Sequence, residues 1–179
     1  MNGFCAIFIM AAGGILAQNT NQEIIAYHGA TIHTAMGEPI TNGVLVIQGN
    51  KILGVGRDIP ANAKKVDLTG MVIIPGLVDT HSHLGLFGRP QVPANSDGNE
   101  ASGPVQSSLR AMDAISPQDP GIRMALSGGV TTANIMPGSG NVIGGQTLYV
   151  KLRGNTVEEM RITDAPVLGG LKMANGENP

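Results

Sequence analysis

The stretch MVIIPGLVDTHSH, residues 71–83, decides the fold of this chain. It opens with a nearly continuous apolar run, which is typical of a strand that is covered on both faces in a parallel sheet or barrel. The Pro75-Gly76 pair inside the run predicts a kink rather than the end of the strand. The run therefore predicts a buried strand of an α/β fold.

Polar residues follow this apolar run at the spacing of a strand. Alternate side chains of a strand share one face, so Asp79, His81 and His83 are predicted to point the same way. The two imidazoles would lie about 6.6 Å apart along the strand. They could close on one divalent cation, and zinc accepts histidine nitrogens. Asp79 lies deeper and is predicted to make an orienting or structural hydrogen bond. The pattern predicts a metal site and hence an enzyme.

The composition excludes other classes of function. The net charge is −2, the 11 lysines and arginines are scattered, and aromatic residues make up 3% without tryptophan. Neither a basic surface nor a base-stacking platform is expected, so a nucleic-acid partner is not predicted. With 179 residues, 42% of them hydrophobic, the chain can form a real core in one or two domains.

The segment 4–17 is uncharged and contains Cys5, the single cysteine. It has the length of a signal peptide's apolar region and is shorter than the roughly 20 residues of a membrane span. We predict that residues 1–17 are a signal peptide and that the protein is exported, periplasmic or secreted, without a stable membrane span. Since no basic residue precedes the segment, an uncleaved anchor and a buried strand or mis-assigned start stay open; without a signal the protein would be cytoplasmic.

Residues 18–70 predict a small β-sheet module. Short β-prone runs bounded by turn residues predict strands at 24–27 and 30–33. Two more strands are predicted at 43–47 and 51–56, joined as a hairpin at Gln48-Gly49-Asn50.

Residues 71–179 alternate strands with helices. A long loop is predicted at 84–107, then a helix with Ser116 as N-cap and Pro117 as first residue that ends at Gly128-Gly129. Strands are predicted at 130–136, 147–152 and 167–173, with a short helix at 156–161. This order predicts an α/β fold with parallel strands.

With these motifs the chain resembles the amidohydrolase superfamily, close to its imidazolonepropionase-like members, over roughly residues 30–179. The resemblance rests on five motifs in this order and spacing: GVLVI (43–47), KILGVG (51–56), VDLTG (66–70), IPGLVDTHSH (74–83) and GGVTT (128–132). It implies a (β/α)8 barrel of the TIM type preceded by a small β-sandwich module. A complete barrel takes about 250 residues, so residues 71–179 would form about three βα units of a truncated barrel, and the chain is interpreted as an N-terminal fragment.

The resemblance also implies the site. His81 and His83 would bind one or two divalent metal ions, most simply Zn²⁺, and the general-base aspartate is expected beyond residue 179. Lys172 follows Gly169-Gly170-Leu171 in a predicted buried strand. It is a candidate for the carboxylated lysine that bridges two metals in many relatives. Glu177 is the rival, and the alternative for Lys172 is a side chain that reaches the surface.

Three further features are weaker. The segment 137–146 (PGSGNVIGGQ) could line an active-site mouth with backbone N–H groups or be a plain connecting loop. His28 and His33 are predicted to be surface or turn residues. Arg89, Arg110 and Arg123 are predicted to be solvated.

The function that the resemblance implies is hydrolysis of carbon–nitrogen bonds, with a small-molecule amide, cyclic amide or dipeptide-type substrate and a metal-activated water. The first alternative is a catalytically inactive fragment that serves as a metal-binding or interaction piece, since an open sheet edge favours association and a homo-oligomer. The second is isomerisation or decarboxylation on the same type of site.

Overall fold

The computed structural model describes residues 22–175. The predicted signal segment with Cys5, and Glu177, lie outside the described residues. The chain divides into two compact units between Pro75 and Gly76, whereas we expected a module boundary after residue 70. The apolar run 71–78 is therefore two strands rather than one kinked strand, β5 (Val72–Ile73) and β6 (Leu77–Ser82). Proline lacks the N–H that a ladder needs, which explains why pairing stops at Pro75.

The first unit is a five-stranded sheet. Its other strands are β1 (Ile24–Ile32), β2 (Ile40–Gln48), β3 (Lys51–Gly56) and β4 (Lys64–Asp67). The order is β3-β2-β1-β4, with β5 also paired to β1. β2 is antiparallel to both neighbours, while β4 and β5 run parallel to β1. The predicted hairpin is confirmed, with Gly49-Asn50 between its strands.

β1 replaces the two strands predicted at 24–27 and 30–33. The chain passes through Gly29 at φ +85° while the pairing with β2 shifts register between His28 and Ala30. A glycine with positive φ inside a strand is the signature of a bulge, which bends the strand without ending it. A small buried cluster of Ala26, Val44 and Val46 lies on one face of this sheet.

The second unit mixes strands with short helices. In chain order it contains β6, a 3₁₀ turn (Pro93–Asn95), α1 (Ala111–Ala114), α2 (Pro120–Ser127), β7 (Val130–Ile135), β8 (Ile143–Gln146), β9 (Leu148–Lys151), α3 (Val157–Met160) and β10 (Leu171–Met173). β6 and β7 are parallel and joined through α2, which confirms the βα pattern. β9 is antiparallel to β7, and β10 is antiparallel to β8. The fold is thus mixed α/β: the predicted parallel pairing is present between β6 and β7, and antiparallel pairs accompany it.

Helix α2 begins later than predicted. Its N-cap is Asp119, whose Oδ1 accepts a hydrogen bond from Gly121 N at 2.5 Å, and Pro120 is the first helical residue. Asp119, like Ser116, is a residue type that caps helices and is followed by proline. Ile122 lies on the buried face of the helix. The helix ends before Gly128-Gly129 as predicted, with Gly129 at φ +90°.

The core of the second unit lies between the sheet and α2. Ala133 and Ile135 of β7 and Val150 of β9 have no solvent exposure and pack with Ile122 of α2. Leu77 and Val78 of β6, by contrast, are more than half exposed, so this strand is not covered on both faces as its apolar sequence predicted. Within residues 22–175, no helix has the length and apolar character needed to cross a membrane.

Candidate metal centre

The two histidines lie where β6 ends, and the strand is not regular there. Asp79 pairs opposite Ala133 and Ser82 opposite Ile135, so three steps along β6 match two along β7. The extra residue is a bulge. Asp79, His81 and His83 nevertheless line the same cavity, as the prediction of a shared face requires.

Asp79 also makes a structural hydrogen bond. Its Oδ1 accepts from the backbone N of His81 at 3.1 Å. This contact provides an acceptor for a backbone N–H at the bulge, where the pairing of β6 with β7 is interrupted. The hydrogen-bonding role expected for Asp79 is thus present in the structure, on the backbone of a candidate ligand.

His83 is oriented by the strand next to it. Its Nδ1 lies 2.8 Å from the carbonyl oxygen of Met136, which directly follows β7. A carbonyl only accepts hydrogen bonds, so Nδ1 must carry the proton, and the neutral ring then has an unprotonated Nε2. A ring nitrogen that donates to a backbone carbonyl is the usual arrangement for a histidine that binds metal through its other nitrogen.

The rings of His81 and His83 lie close together. Their centroids are 5.4 Å apart with an interplanar angle of 90°, and the ring of Phe87 meets His83 edge-on at 5.7 Å. Both imidazoles line one cavity of about 310 Å³, with Arg89 and Asp119 also on its wall. The predicted proximity of the two histidines is thus present, on the wall of a cavity.

Lys172 comes to the same place from β10. It pairs with Gly145 of β8, its residue is 7% exposed, and its Nζ lies 3.4 Å from Nε2 of His81. The alternative in which this side chain reaches the surface is wrong. Within the described range, Lys172 has no carboxylate within 4.0 Å. A buried lysine with an imidazole as neighbour is costly as a free cation, which is the environment expected of a lysine with a chemical task.

The nitrogen donors present would fit a divalent metal only in part. Among residues 22–175 no group of three or more His, Cys, Asp or Glu side chains is placed to hold a metal ion. His81 nevertheless lies next to the ring of His83 and to the amine of Lys172, and zinc accepts nitrogen ligands. These three residues therefore fit part of a metal site.

The segment 137–146 is more ordered than a loop. Residues 143–146 form β8, which sequence reasoning missed because its two glycines disfavour a strand. The N–H groups of Gly138, Gly140 and Ile143 are bonded to protein oxygens. These N–H groups are therefore not free for an anionic substrate. Of the two predicted roles of the segment, a connection between elements agrees better with the structure than an active-site mouth.

The remaining sequence candidates are two histidines of the first unit and three arginines of the second, of which Arg89 lines the same cavity as His81 and His83. His28 is part of β1 and His33 is exposed just after it, both in the first unit. Arg89, Arg110 and Arg123 are exposed as predicted. Sequence reasoning missed the carbonyl of Met136, which no side-chain pattern could reveal.

No protein-family model matches the chain. The sequence is 37% identical over 112 residues to amidohydrolase tasK of Hapsidospora irregularis, covering 63% of this chain and 11% of that protein. It is 27% identical over 131 residues to an Escherichia coli allantoinase, covering 73% and 24%. The crystal structure of an amidohydrolase from Thermotoga maritima MSB8 is similar with a TM-score of 0.79 and 44% identity, over 87% of this chain and 40% of that one.

The chain thus spans less than half the length of each of these relatives. The fold is shared with the Thermotoga protein over most of the chain at an identity that indicates common ancestry. Two further relatives with amidohydrolase-type names match at lower coverage. The chain belongs to the amidohydrolase superfamily.

Proposed function

We propose that the protein is a metal-dependent hydrolase of carbon–nitrogen bonds in a small amide or cyclic amide. The observation that carries this proposal is the hydrogen bond from His83 Nδ1 to Met136 O, which leaves Nε2 of this ring unprotonated next to the ring of His81. His81 in turn contacts Lys172. The names of the relatives, amidohydrolase and allantoinase, support the bond type. They do not select a substrate for this chain.

In this proposal His81 and His83 would hold the metal, and Lys172, once its neutral amine has reacted with CO2 to a carbamate with loss of a proton, would be a further ligand. Zn²⁺ is the first choice because imidazole nitrogens suit it. A divalent metal bound there would lower the pKa of a coordinated water and polarise a substrate carbonyl. Met136 O holds the His83 ring in one orientation, and Asp79 holds the backbone N–H of His81. Further ligands and the general-base aspartate are proposed to follow residue 179.

We also propose that β6 and β7 are the first strands of a (β/α)8 barrel. Their parallel pairing and the helix between them support this. In such barrels functional side chains lie where strands end in their loops, and His81 and His83 lie where β6 ends. Export through a signal peptide at residues 1–17 stays a prediction on the sequence alone.

A second candidate function is an interaction piece without catalysis. β6 is the outer strand of its sheet, and Leu77 and Val78 on it are 51% and 56% exposed. An open strand edge with apolar side chains favours association with another chain or a second copy. In that case the purified chain would self-associate and would hold metal weakly or not at all.

The test is metal content, measured by mass spectrometry on the purified chain and on any longer native form of the protein. We expect one or two zinc-like ions in the native form and none after His81→Ala with His83→Ala. His28→Ala with His33→Ala is the matched control, because it removes two histidines of the first unit and should leave the metal in place. A metal-free native form would contradict the hydrolase proposal; a metal-bound one justifies a hydrolysis screen with cyclic amides and Xaa-Pro dipeptides.

A further inference from the structure

The His83 ring bonds to a carbonyl at the start of an irregular segment. Met136 O, which accepts from His83 Nδ1, lies just after β7, and Met136 N donates to Ser82 O at 2.9 Å, which ties one end of the segment to β6. β8 starts only at Ile143, and residues 137–142 belong to no strand. The rest of the segment must therefore be placed by other contacts.

Those contacts centre on Asn141, which is 2% exposed. Its Nδ2 donates to Glu100 O at 2.7 Å and to Gly103 O at 2.9 Å, and its Oδ1 accepts from Glu100 N at 3.2 Å. One buried carboxamide thus satisfies three backbone groups of a second segment, residues 100–103. A buried amide with this many satisfied bonds specifies a single arrangement of the two segments.

Backbone contacts extend the same junction. Gly138 N donates to Gly98 O at 2.7 Å, and Gly140 N donates to Asn99 Oδ1 at 2.9 Å. A Cβ at Gly138 would crowd the carboxamide of Asn99. The glycine therefore eases the close approach of the two segments.

The junction also supports the lysine. Ala174 N donates to Val142 O at 3.0 Å, next to Asn141, and Lys172 pairs with Gly145. A Cβ at Gly144 would lie 3.4 Å from Lys172 Cγ, so the backbone of β8 contacts the stem of this side chain. Asn141 therefore sits between the carbonyl that orients His83 and the strand that carries Lys172 to His81.

We propose that Asn141 is a positioning residue for the centre formed by His81, His83 and Lys172. Its carboxamide fixes the segment 137–144 on the segment 98–103. Together with the bond from Met136 N to Ser82 O, it thereby holds Met136 O against His83 Nδ1, and it supports β8 against β10. The placement of the rings is read from the geometry. The consequence for metal binding rests on the function proposed above.

The experiment measures the His83 tautomer in the metal-free full chain by long-range ¹H–¹⁵N NMR of ¹⁵N-histidine protein, at a pH where the imidazoles are neutral. Wild type is expected to show His83 protonated at Nδ1 alone. Asn141→Ala should give a mixture of tautomers, and Asn141→Asp, which keeps the acceptor and loses both donors, should do the same. Asn155→Ala, with an exposed side chain at a distant turn, is the control and should match wild type.

Circular dichroism on each variant separates loss of positioning from loss of fold. If Asn141→Ala does not fold, Asn99→Ala decides, since it removes one exposed bond of the same junction: a mixed tautomer supports the proposal and a single one overturns it. A folded Asn141→Ala with a single Nδ1-protonated tautomer also overturns it. So does a wild type that lacks this tautomer.

Zinc titration of the same proteins adds the link to function. Loss of a residue that orients a ligand costs about 10- to 100-fold in metal affinity, and we expect about tenfold for Asn141→Ala because it acts through the backbone. Unchanged affinity in that variant would overturn the functional part. If neither this chain nor a longer native form binds zinc, the proposed hydrolase function fails, while the tautomer measurement still decides the role of Asn141.

Discussion

The contacts inside the first unit of this protein differ in kind from the contacts inside the second. In the first unit nearly every strand contact is a backbone ladder, with β1 paired to β2, β4 and β5. In the second unit side chains also bond backbone groups that no strand ladder pairs. Asn141 does this for residues 100–103, and Asp119 does it at the start of α2. The candidate metal centre lies in the second unit. A site needs side chains in irregular positions, and polar side-chain bonds are what makes such positions stable.

The largest expected difference is in the free energy of unfolding lost when a buried isoleucine of the second unit or an exposed isoleucine of the first is truncated. Ile135→Ala removes a side chain with no exposure from the core of the second unit and should lower its free energy of unfolding by about 2–5 kcal/mol. Ile52→Ala, at a strand position 67% exposed in the first unit, should change stability by less than about 0.5 kcal/mol.

Urea unfolding can follow each unit through its own tyrosine, Tyr27 or Tyr149. In a Tyr27→Phe background, tyrosine fluorescence reports the second unit alone. Equal effects of Ile135→Ala and Ile52→Ala would show that the second unit has no packed core of its own.

Two glycines with similar backbone angles test how tightly each unit is packed around its turns. Gly29 has φ +85° and a Cβ there would lie 2.5 Å from Thr69 Oγ1, whereas Gly129 has φ +90° with nothing within 4 Å. Gly129→Ala should cost about 1–2 kcal/mol from the left-handed conformation alone. Gly29→Ala should cost more, because crowding adds to the same backbone cost. Thermal unfolding of both variants checks this, and a Gly29→Ala protein as stable as Gly129→Ala would contradict the crowding at the bulge.

The cap of α2 tests the side-chain bonds of the second unit. Asp119→Ala removes the acceptor of Gly121 N and should destabilise by about 1 kcal/mol. Asp119→Asn keeps an acceptor, and it removes a buried carboxylate whose Oδ2 has no partner among the described residues. It should therefore equal or exceed wild type in stability. Denaturant midpoints of the two variants decide between these outcomes, and a more stable Asp119→Ala would show that the cap contributes nothing.

The smallest expected effect is on acid stability. The Arg110 guanidinium, 2.7 and 2.8 Å from Asp113, lowers the pKa of that carboxyl, and hydrogen bonds from the Thr69 hydroxyl and N–H lower the pKa of Asp67. A folded pKa below the unfolded value of about 3.9 gives stability that is present above that value. It is lost as the pH falls through the folded pKa.

Asp113→Asn and Asp67→Asn, one in each unit, should each slightly reduce the fall in stability between about pH 5 and about pH 2. The effect is small since both groups are exposed. Unfolding midpoints against pH measure it. A steeper fall in either variant would contradict the sign.

Much of the first unit could be predicted from the sequence, and less of the second. The hairpin of β2 and β3 followed from β-prone runs around Gly49-Asn50, because a short turn fixes the register locally. β8 and α1 did not follow from the sequence, since glycine-rich and four-residue elements depend on partners far along the chain. The Pro75-Gly76 pair predicted a kink within one strand, whereas the chain divides into its two units there.

The sequence by itself determined that His81 and His83 end a strand and can act together, because alternation along a strand is a local property. It also singled out Lys172 as a lysine in an apolar context. Only the tertiary structure decided that Lys172 lies 3.4 Å from His81 and that Met136 O selects the tautomer of His83. It alone introduced the bulge between Asp79 and Ser82. These facts depend on contacts between residues more than 50 positions apart, or on register between strands, and no local rule of spacing contains them.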